Sequence, residues 1–321
     1  YQRMGRHDVS RQSIFFEPNI WLRGNAWEIK AKMNSELPDL TTMVNYRDDS
    51  NPMNIILGNM QLRNIHYYDI EGGKTFEGKK HSRLNINMGY HQTDNAVAYS
   101  LVFDKQTGVS TVQPISVNGN YRMDLGIGYT RPLDKKEKLS IDNQASFNYN
   151  HNVDMAMVQG ATQSQRSIVN NWKISNVLKL NYRLDDNYEF TLHGGGTYYL
   201  IKSQREGFSN IHAGDYNIGM NAQITLPWKL QLTTDLTMFA RRGYQLSEMN
   251  TTDWIWNAQL SRSFINKKLL VKLQGFDMLR QLSNTQYLMN AQGKTETWNN
   301  SIPRYVMLSL SWRFNVNPKK K

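Results

Sequence analysis

The chain has 321 residues, of which 39% are hydrophobic and none is cysteine, and its formal net charge is +11. No segment holds the roughly 18 to 20 consecutive apolar residues that a membrane-spanning helix needs, so a helical membrane protein is excluded. The lack of cysteine also excludes disulfide bonds, thiolate metal sites and a cysteine nucleophile.

Apolar and polar residues alternate along most of the chain, which predicts strands rather than helices. In the last strand, for example, Leu308, Leu310 and Trp312 share one face while Ser309 and Ser311 share the other. The alternation predicts about thirteen strands, at 13–22, 25–34, 63–72, 81–104, 109–131, 137–151, 166–183, 188–203, 211–226, 228–242, 252–264, 267–279 and 303–316. Most exceed the five or six residues usual in soluble proteins, and they suit a tilted bilayer crossing of about 9 to 11 residues.

Short and long connections alternate between these strands. The short ones are 23–25, 133–136, 184–187, 226–227 and 265–267, and the long polar ones are 35–62, 151–165, 203–210, 243–250 and 279–301. Outer-membrane barrels have short periplasmic turns and long extracellular loops. The chain is therefore predicted to be all-β, an antiparallel transmembrane β-barrel in the bacterial outer membrane. Its mean hydropathy of −0.63 is compatible with this fold, because half of each strand faces a polar lumen.

Aromatic residues concentrate at the predicted strand ends, where their amphipathic rings suit the lipid headgroup layer. The membrane-interface aromatics predicted in this way are Trp172, Tyr182, Trp228, Trp312 and Phe314.

Three stretches carry a family resemblance: 37–40 with 47–59, 107–121, and 260–269. In the first, the signature-loop residues are Asp48, Asn51, Pro52, Asn54, Gly58 and Asn59. These stretches resemble the outer-membrane β-barrel family of Bacteroidetes that is related to TonB-dependent receptors.

The resemblance implies energy-coupled uptake of a solute such as a siderophore, a glycan or a peptide. It also implies a 22-stranded barrel around a plug, of which residues 1–321 supply the C-terminal thirteen strands. The plug domain, the energy-coupling box and the signal peptide are expected upstream of Tyr1. Expected partners are this plug, a TonB-type energy-coupling protein, outer-membrane lipid with lipopolysaccharide, and a surface lipoprotein.

Cations and aromatic rings also meet at one predicted strand end and the start of the next strand. This candidate extracellular ligand rim comprises Arg241, Arg242, Tyr244, Asp253, Trp254 and Trp256. Arginine recognises carboxylates, and aromatic faces recognise cations and sugar rings. An ordinary rim that binds lipopolysaccharide is the alternative interpretation.

The scattered basic residues favour solvated turns over a nucleic-acid interface, so no nucleic-acid partner is expected. The segment His193-Gly194-Gly195-Gly196 resembles a lipase oxyanion loop, but the sequence lacks the G-x-S-x-G elbow that such a loop serves. We therefore expect no enzymatic activity, and no cofactor or metal. Three alternatives to uptake remain at this point: a barrel of the same family with a structural or assembly role, an outer-membrane hydrolase, and a soluble secreted β-sandwich.

Overall fold

The computed structural model describes residues 12–314 except 45, 159, 207, 284, 291–292 and 300–301. Strands make up most of this part of the chain. Over the same residues, no helix combines the length and the apolar character needed to cross a membrane.

The regular elements follow one another along the chain with mostly short gaps. They are β1 (Asn19–Gly24), β2 (Trp27–Glu36), α1 (Leu40–Met43), β3 (Arg47–Asp48), β4 (Asn54–Leu57), β5 (Ile65–Glu77), β6 (Arg83–Asp94), β7 (Ala96–Phe103), β8 (Ser110–Val117), β9 (Asn120–Pro132), β10 (Leu139–Ala156), β11 (Gln165–Asp185), β12 (Tyr188–Ser203), β13 (Ile211–Leu226), β14 (Leu230–Arg242), β15 (Thr252–Phe264), β16 (Leu269–Phe276), β17 (Thr285–Asn290), β18 (Gly293–Trp298) and β19 (Tyr305–Trp312).

Thirteen of these strands form one sheet in the order β1-β2-β5-β6-β9-β10-β11-β12-β13-β14-β15-β16-β19. Every neighbouring pair in it is antiparallel. Short turns and long loops alternate between the strands, so all the long loops lie on one side of the sheet. The all-β fold is therefore confirmed, and the thirteen predicted strands correspond to the thirteen strands of this main sheet.

The predictions 81–104 and 109–131 were wrong in taking each segment as one strand. Asn95 and Gly119 adopt left-handed backbone conformations, with φ of 57° and 105°, and there the chain leaves the main sheet. Beyond these bends β7 and β8 pair with each other. Because β7 and β8 are themselves strands, the alternation of apolar and polar residues continues through both bends. The alternation therefore does not show that the chain passes from the main sheet to another sheet.

The main sheet has one apolar and one polar face. Cross-strand partners on the apolar face include Met88, Leu125, Phe147, Ile174, Ile218, Leu236, Trp256, Leu273 and Leu308. Many of these side chains are open to the surroundings: 51% of Ile218 and 64% of Leu308 are exposed. A soluble protein rarely exposes a continuous apolar patch of this extent, so this face is suited to contact with lipid.

Two asparagines interrupt the apolar face and bond to each other. Asn143 Nδ2 donates to Asn176 Oδ1 over 3.1 Å, and Asn176 Nδ2 donates to Asn143 Oδ1 over 3.2 Å. Because lipid offers no hydrogen-bond partner, this reciprocal pair satisfies two polar groups that would otherwise be costly there.

We expect Asn176→Leu to lower the free energy of unfolding by about 1–2 kcal/mol, because Asn143 Oδ1 then lacks a donor. Asn143→Leu combined with Asn176→Leu should restore most of this stability. Urea unfolding in lipid vesicles would measure both variants. Additive losses in the double variant would contradict this explanation.

Candidate functional site

A second sheet lies on the side of the long loops. It has the order β3-β4-β8-β7, with β4 parallel to β8. The segment before β11 closes the free edge of β7: Phe103 N donates to Thr162 O over 2.7 Å, and Ser164 N donates to Leu101 O over 2.7 Å. An ordered sheet, rather than irregular loops, therefore lies at the long-loop end of the molecule. Because the long loops of outer-membrane barrels are extracellular, we call β3, β4, β7 and β8 the extracellular sheet.

The first half of the signature loop forms two turns. Asp48 Oδ1 accepts a hydrogen bond from Ser50 N (3.0 Å), and Asn51 Oδ1 accepts one from Met53 N (3.1 Å). Hydrogen bonding to Ser50 lowers the pKa of the Asp48 carboxyl, because these bonds favour its charged form. Pro52 lies within the second turn, which leads into β4 at Asn54.

The second half of the signature loop fastens β4 to its surroundings. Asn59 Nδ2 donates to Pro114 O on β8 over 2.8 Å, while Asn59 N donates to Thr42 O over 2.8 Å. Gly58 N donates to Tyr46 O over 3.0 Å. These contacts give the signature loop a structural role, since they hold the extracellular sheet together.

The predicted rim residues Arg241 and Tyr244 meet on Asp215, a residue that the sequence reasoning missed. Asp215 Oδ1 accepts from Arg241 Nε (3.2 Å) and from Tyr244 OH (2.9 Å), and the Arg241 guanidinium lies 5.3 Å from the centre of the Tyr244 ring. Burial, followed by the adjacent Asp215 carboxylate, raises the pKa of the Tyr244 phenol. The protonated phenol is the form that donates to Asp215 in this cluster.

The structure does not bring the rest of the predicted rim into this cluster. Arg242 bonds to Thr251 O over 2.7 Å, and Asp253 lies on the polar face opposite Phe239. Trp254 and Trp256 lie on the apolar face, paired with Met238 and Leu236. Their position is that of membrane-facing rings rather than of ligand contacts in the lumen.

We expect Asp215→Ala to lower the free energy of local opening of residues 243–251 by about 1–3 kcal/mol, because Arg241 and Tyr244 both lose their acceptor. Hydrogen exchange of this loop is the measurement. Asp253→Ala is the matched control, since within the described residues Asp253 forms no ion pair. Equal exchange in the two variants would show that the cluster does not hold the loop.

A second charged cluster lies on the polar face of β2, β5, β6 and β9. His91 contacts Asp69 (Nδ1 to Oδ1, 2.6 Å) and Asp124 (Nε2 to Oδ2, 3.5 Å). Lys32 pairs with Asp69 over 3.4 Å and Arg122 with Asp124 over 2.7 Å. Acidic and basic groups thus neutralise one another along this wall. No group of three or more His, Cys, Asp or Glu side chains suited to a metal ion occurs among the residues described.

Aromatic rings mark both ends of the apolar face. At the extracellular end the rings of Tyr90, Tyr121, Tyr149 and Trp172 form a row with successive centroid distances of 6.0, 5.8 and 5.1 Å. The described part of the chain therefore has an aromatic belt at the extracellular end of the apolar face, and this belt includes the predicted Trp172.

The other predicted aromatics lie at the opposite end. Tyr182 is near the end of β11, and Trp312 ends β19 with its ring centroid 6.3 Å from that of Phe314. Trp228 occupies the turn between β13 and β14 with φ of 63°, and 79% of it is exposed. All four positions are compatible with a periplasmic headgroup layer.

Comparison with known proteins gives one family. A family model described as "Outer membrane protein beta-barrel family" matches residues 22–194 and 161–312. The matched residues extend from β1 to β19. No curated protein matches the chain.

Proposed function

Because this chain belongs to the outer membrane protein beta-barrel family, and therefore lies in the bacterial outer membrane, we propose that it serves energy-coupled uptake of a solute. In this proposal it is the C-terminal part of a barrel related to TonB-dependent receptors, as in the Bacteroidetes proteins that it resembles.

The width of the polar face is the observation that carries the proposal. Eight strands enclose an interior that side chains can fill, whereas 22 strands enclose a lumen closed by a plug. The main sheet has thirteen strands, and β1 and β19 are its two edges. We propose that further strands join these edges, giving a lumen wide enough for a plug and a solute.

The polar wall also offers a surface on which a plug could pack. Gly73, Gly89 and Gly126 leave a cavity of about 330 Å³, which both acidic and basic side chains border: Glu28, Lys30, Glu71, His91 and Asp124. A plug domain with complementary groups is the partner proposed for this wall, and a TonB-type protein would act through that plug. In this proposal the chain needs no cofactor, performs no catalysis and binds no nucleic acid.

The outer rim suits lipopolysaccharide. Lys202 continues the apolar side of β12 at its extracellular end, and its Nζ lies 5.9 Å from the centre of the Trp172 ring. A lysine beside an aromatic belt is a fitting partner for lipopolysaccharide phosphates. A surface lipoprotein is proposed as a further partner, over the extracellular sheet.

Uptake by cells tests the proposal. Cells that lack the gene, and the same cells complemented with it, would be compared for uptake of a panel of radiolabelled glycans, peptides and siderophores. We expect uptake of at least one solute to require the gene and to stop when an uncoupler collapses the proton gradient. Unchanged uptake of every solute, together with defective assembly of other outer-membrane proteins, would favour the structural role instead.

A further inference from the structure

A cavity of about 560 Å³ lies where the polar face of the barrel wall meets the extracellular sheet. Its wall comes from the polar-face ends of β6, β9, β10 and β11, and its roof is formed by Ala96, Val97 and Val117 of β7 and β8. Arg205, from the loop after β12, reaches its edge. Cavities of this size accommodate small organic ligands. In the barrel proposed above, this cavity would lie at the extracellular end of the lumen.

Asparagine is the most frequent polar residue in the lining, which also contains the hydroxyls of Thr93 and Ser167. Asn120, Asn152 and Asn171 line the cavity, and Asn150 is the cross-strand partner of Asn171. Asn120 Oδ1 already accepts a hydrogen bond from Val153 N over 2.8 Å. In contrast, the carboxamides of Asn150, Asn152 and Asn171 bond to no other group in the described part of the chain.

A free carboxamide offers a donor and an acceptor and carries no charge. A sugar hydroxyl also donates and accepts, so the two unbonded carboxamides in the lining, those of Asn152 and Asn171, are complementary to neighbouring hydroxyls. The charged groups in the lining are one acid, Asp154, and one base, Arg205, and their formal charges cancel. Although the whole chain is strongly basic, this cavity is therefore not suited to an anionic ligand.

We propose that this cavity binds a neutral oligosaccharide, with Asn152 and Asn171 bonding to its hydroxyls. The small apolar side chains of Ala96, Val97 and Val117 cover the carbon-bound hydrogens of the sugar ring. The proposal rests on the uptake function proposed above, because it identifies the solute class that the barrel would take up.

The full-length protein, purified in detergent, would be applied to an array of neutral oligosaccharides and to a library of neutral peptides. Isothermal titration calorimetry would then measure the dissociation constant for the best sugar. We expect combined Asn152→Ala and Asn171→Ala to weaken binding about tenfold or more, through the loss of two neutral hydrogen-bonding groups.

Asn221→Ala is the matched control. Asn221 lies on the polar face of β13, between Thr191 and Asp235, and forms no side-chain hydrogen bond among the described residues. Asn221→Ala removes no hydrogen bond and lies outside the cavity, so it should leave the sugar affinity within about twofold. If the double variant folds poorly, Asn152→Ala alone replaces it in the test. The side chain of Asn152 is exposed, so its removal should not disturb folding, and the single variant should still bind the sugar more weakly than the unchanged protein.

Binding of peptides without any sugar, binding of neither class, or sugar binding that the double variant leaves unchanged would overturn the proposal. A different result would contradict the uptake function alone. In that case the purified protein binds the sugar and the double variant weakens this binding, but cells take up the sugar equally with and without the gene.

Discussion

Replacing Gly58 by alanine is expected to detach β3 and β4 from the extracellular sheet. A Cβ atom at this position would lie 1.6 Å from the backbone oxygen of Val44. This oxygen is part of the main chain, so a side-chain rotation cannot relieve the clash. The backbone must therefore move, and the hydrogen bond from Gly58 N to Tyr46 O is lost with it. We expect the extracellular sheet to lose about 3 kcal/mol of stability, as in severe overpacking.

Protease treatment of intact cells would measure this effect, since a detached β4 exposes the loop after β2 to cleavage. Gly126→Ala is the control, because its Cβ would meet no atom closer than 4.0 Å. The barrel of both variants should still migrate as folded protein in unheated electrophoresis samples. Equal protease resistance of the two variants would contradict the structural role of the signature loop.

Arginine in place of Ile218 is expected to destabilise the membrane-embedded protein by about 2–4 kcal/mol, the cost of a basic residue on the lipid face at the bilayer midplane. Ile218 lies near the middle of β13 on the apolar face, between Gly194 and Met238, and half of it is exposed.

Asn221→Arg provides the comparison on the same strand, because Asn221 faces the polar side, where an arginine can remain hydrated. Unfolding by guanidinium chloride in lipid vesicles would give both free energies. A similar loss in the two variants would mean that the two faces do not differ in their contact with lipid.

The sequence predicted the main sheet well because a single physical rule governs it. Wherever lipid lies on one side and water on the other, side chains must alternate, and the closing strand with Leu308 and Leu310 displays that rule without help from distant residues. The alternation of short and long connections was also predictable, because the length of each connection can be read directly from the sequence once its two flanking strands are known.

Features that depend on strand register could not be predicted from the sequence. The ion pair of Arg241 with Asp215 joins residues on two strands whose alignment the alternation leaves open. Trp254 and Trp256 were predicted in the ligand rim because they begin the strand after Arg241 and Arg242, although alternation places both on the opposite face from Asp253.

The extracellular sheet was missed for a related reason. It combines the loop after β2 with the extensions of β6 and β9, and the parallel pairing of β4 with β8 joins segments far apart in the chain. The signature loop was identified from the sequence, but its structural role depends on the hydrogen bond from Asn59 to Pro114. The alternation of apolar and polar residues does not predict this contact between distant segments.

The central claim is that the apolar face of this sheet lies in the outer-membrane lipid. Because residues 1–321 contain no cysteine, a single cysteine introduced into this part of the protein can carry a spin label without competition from native thiols there. Labels at Tyr216, Ile218 and Met220 would be compared with labels at Asn217 and Asn221, in vesicles, for collision with lipid-soluble oxygen and with a water-soluble nickel chelate. We predict a period of two, with oxygen favoured at the first three positions and nickel at the other two. Equal nickel access at all five positions would contradict the claim.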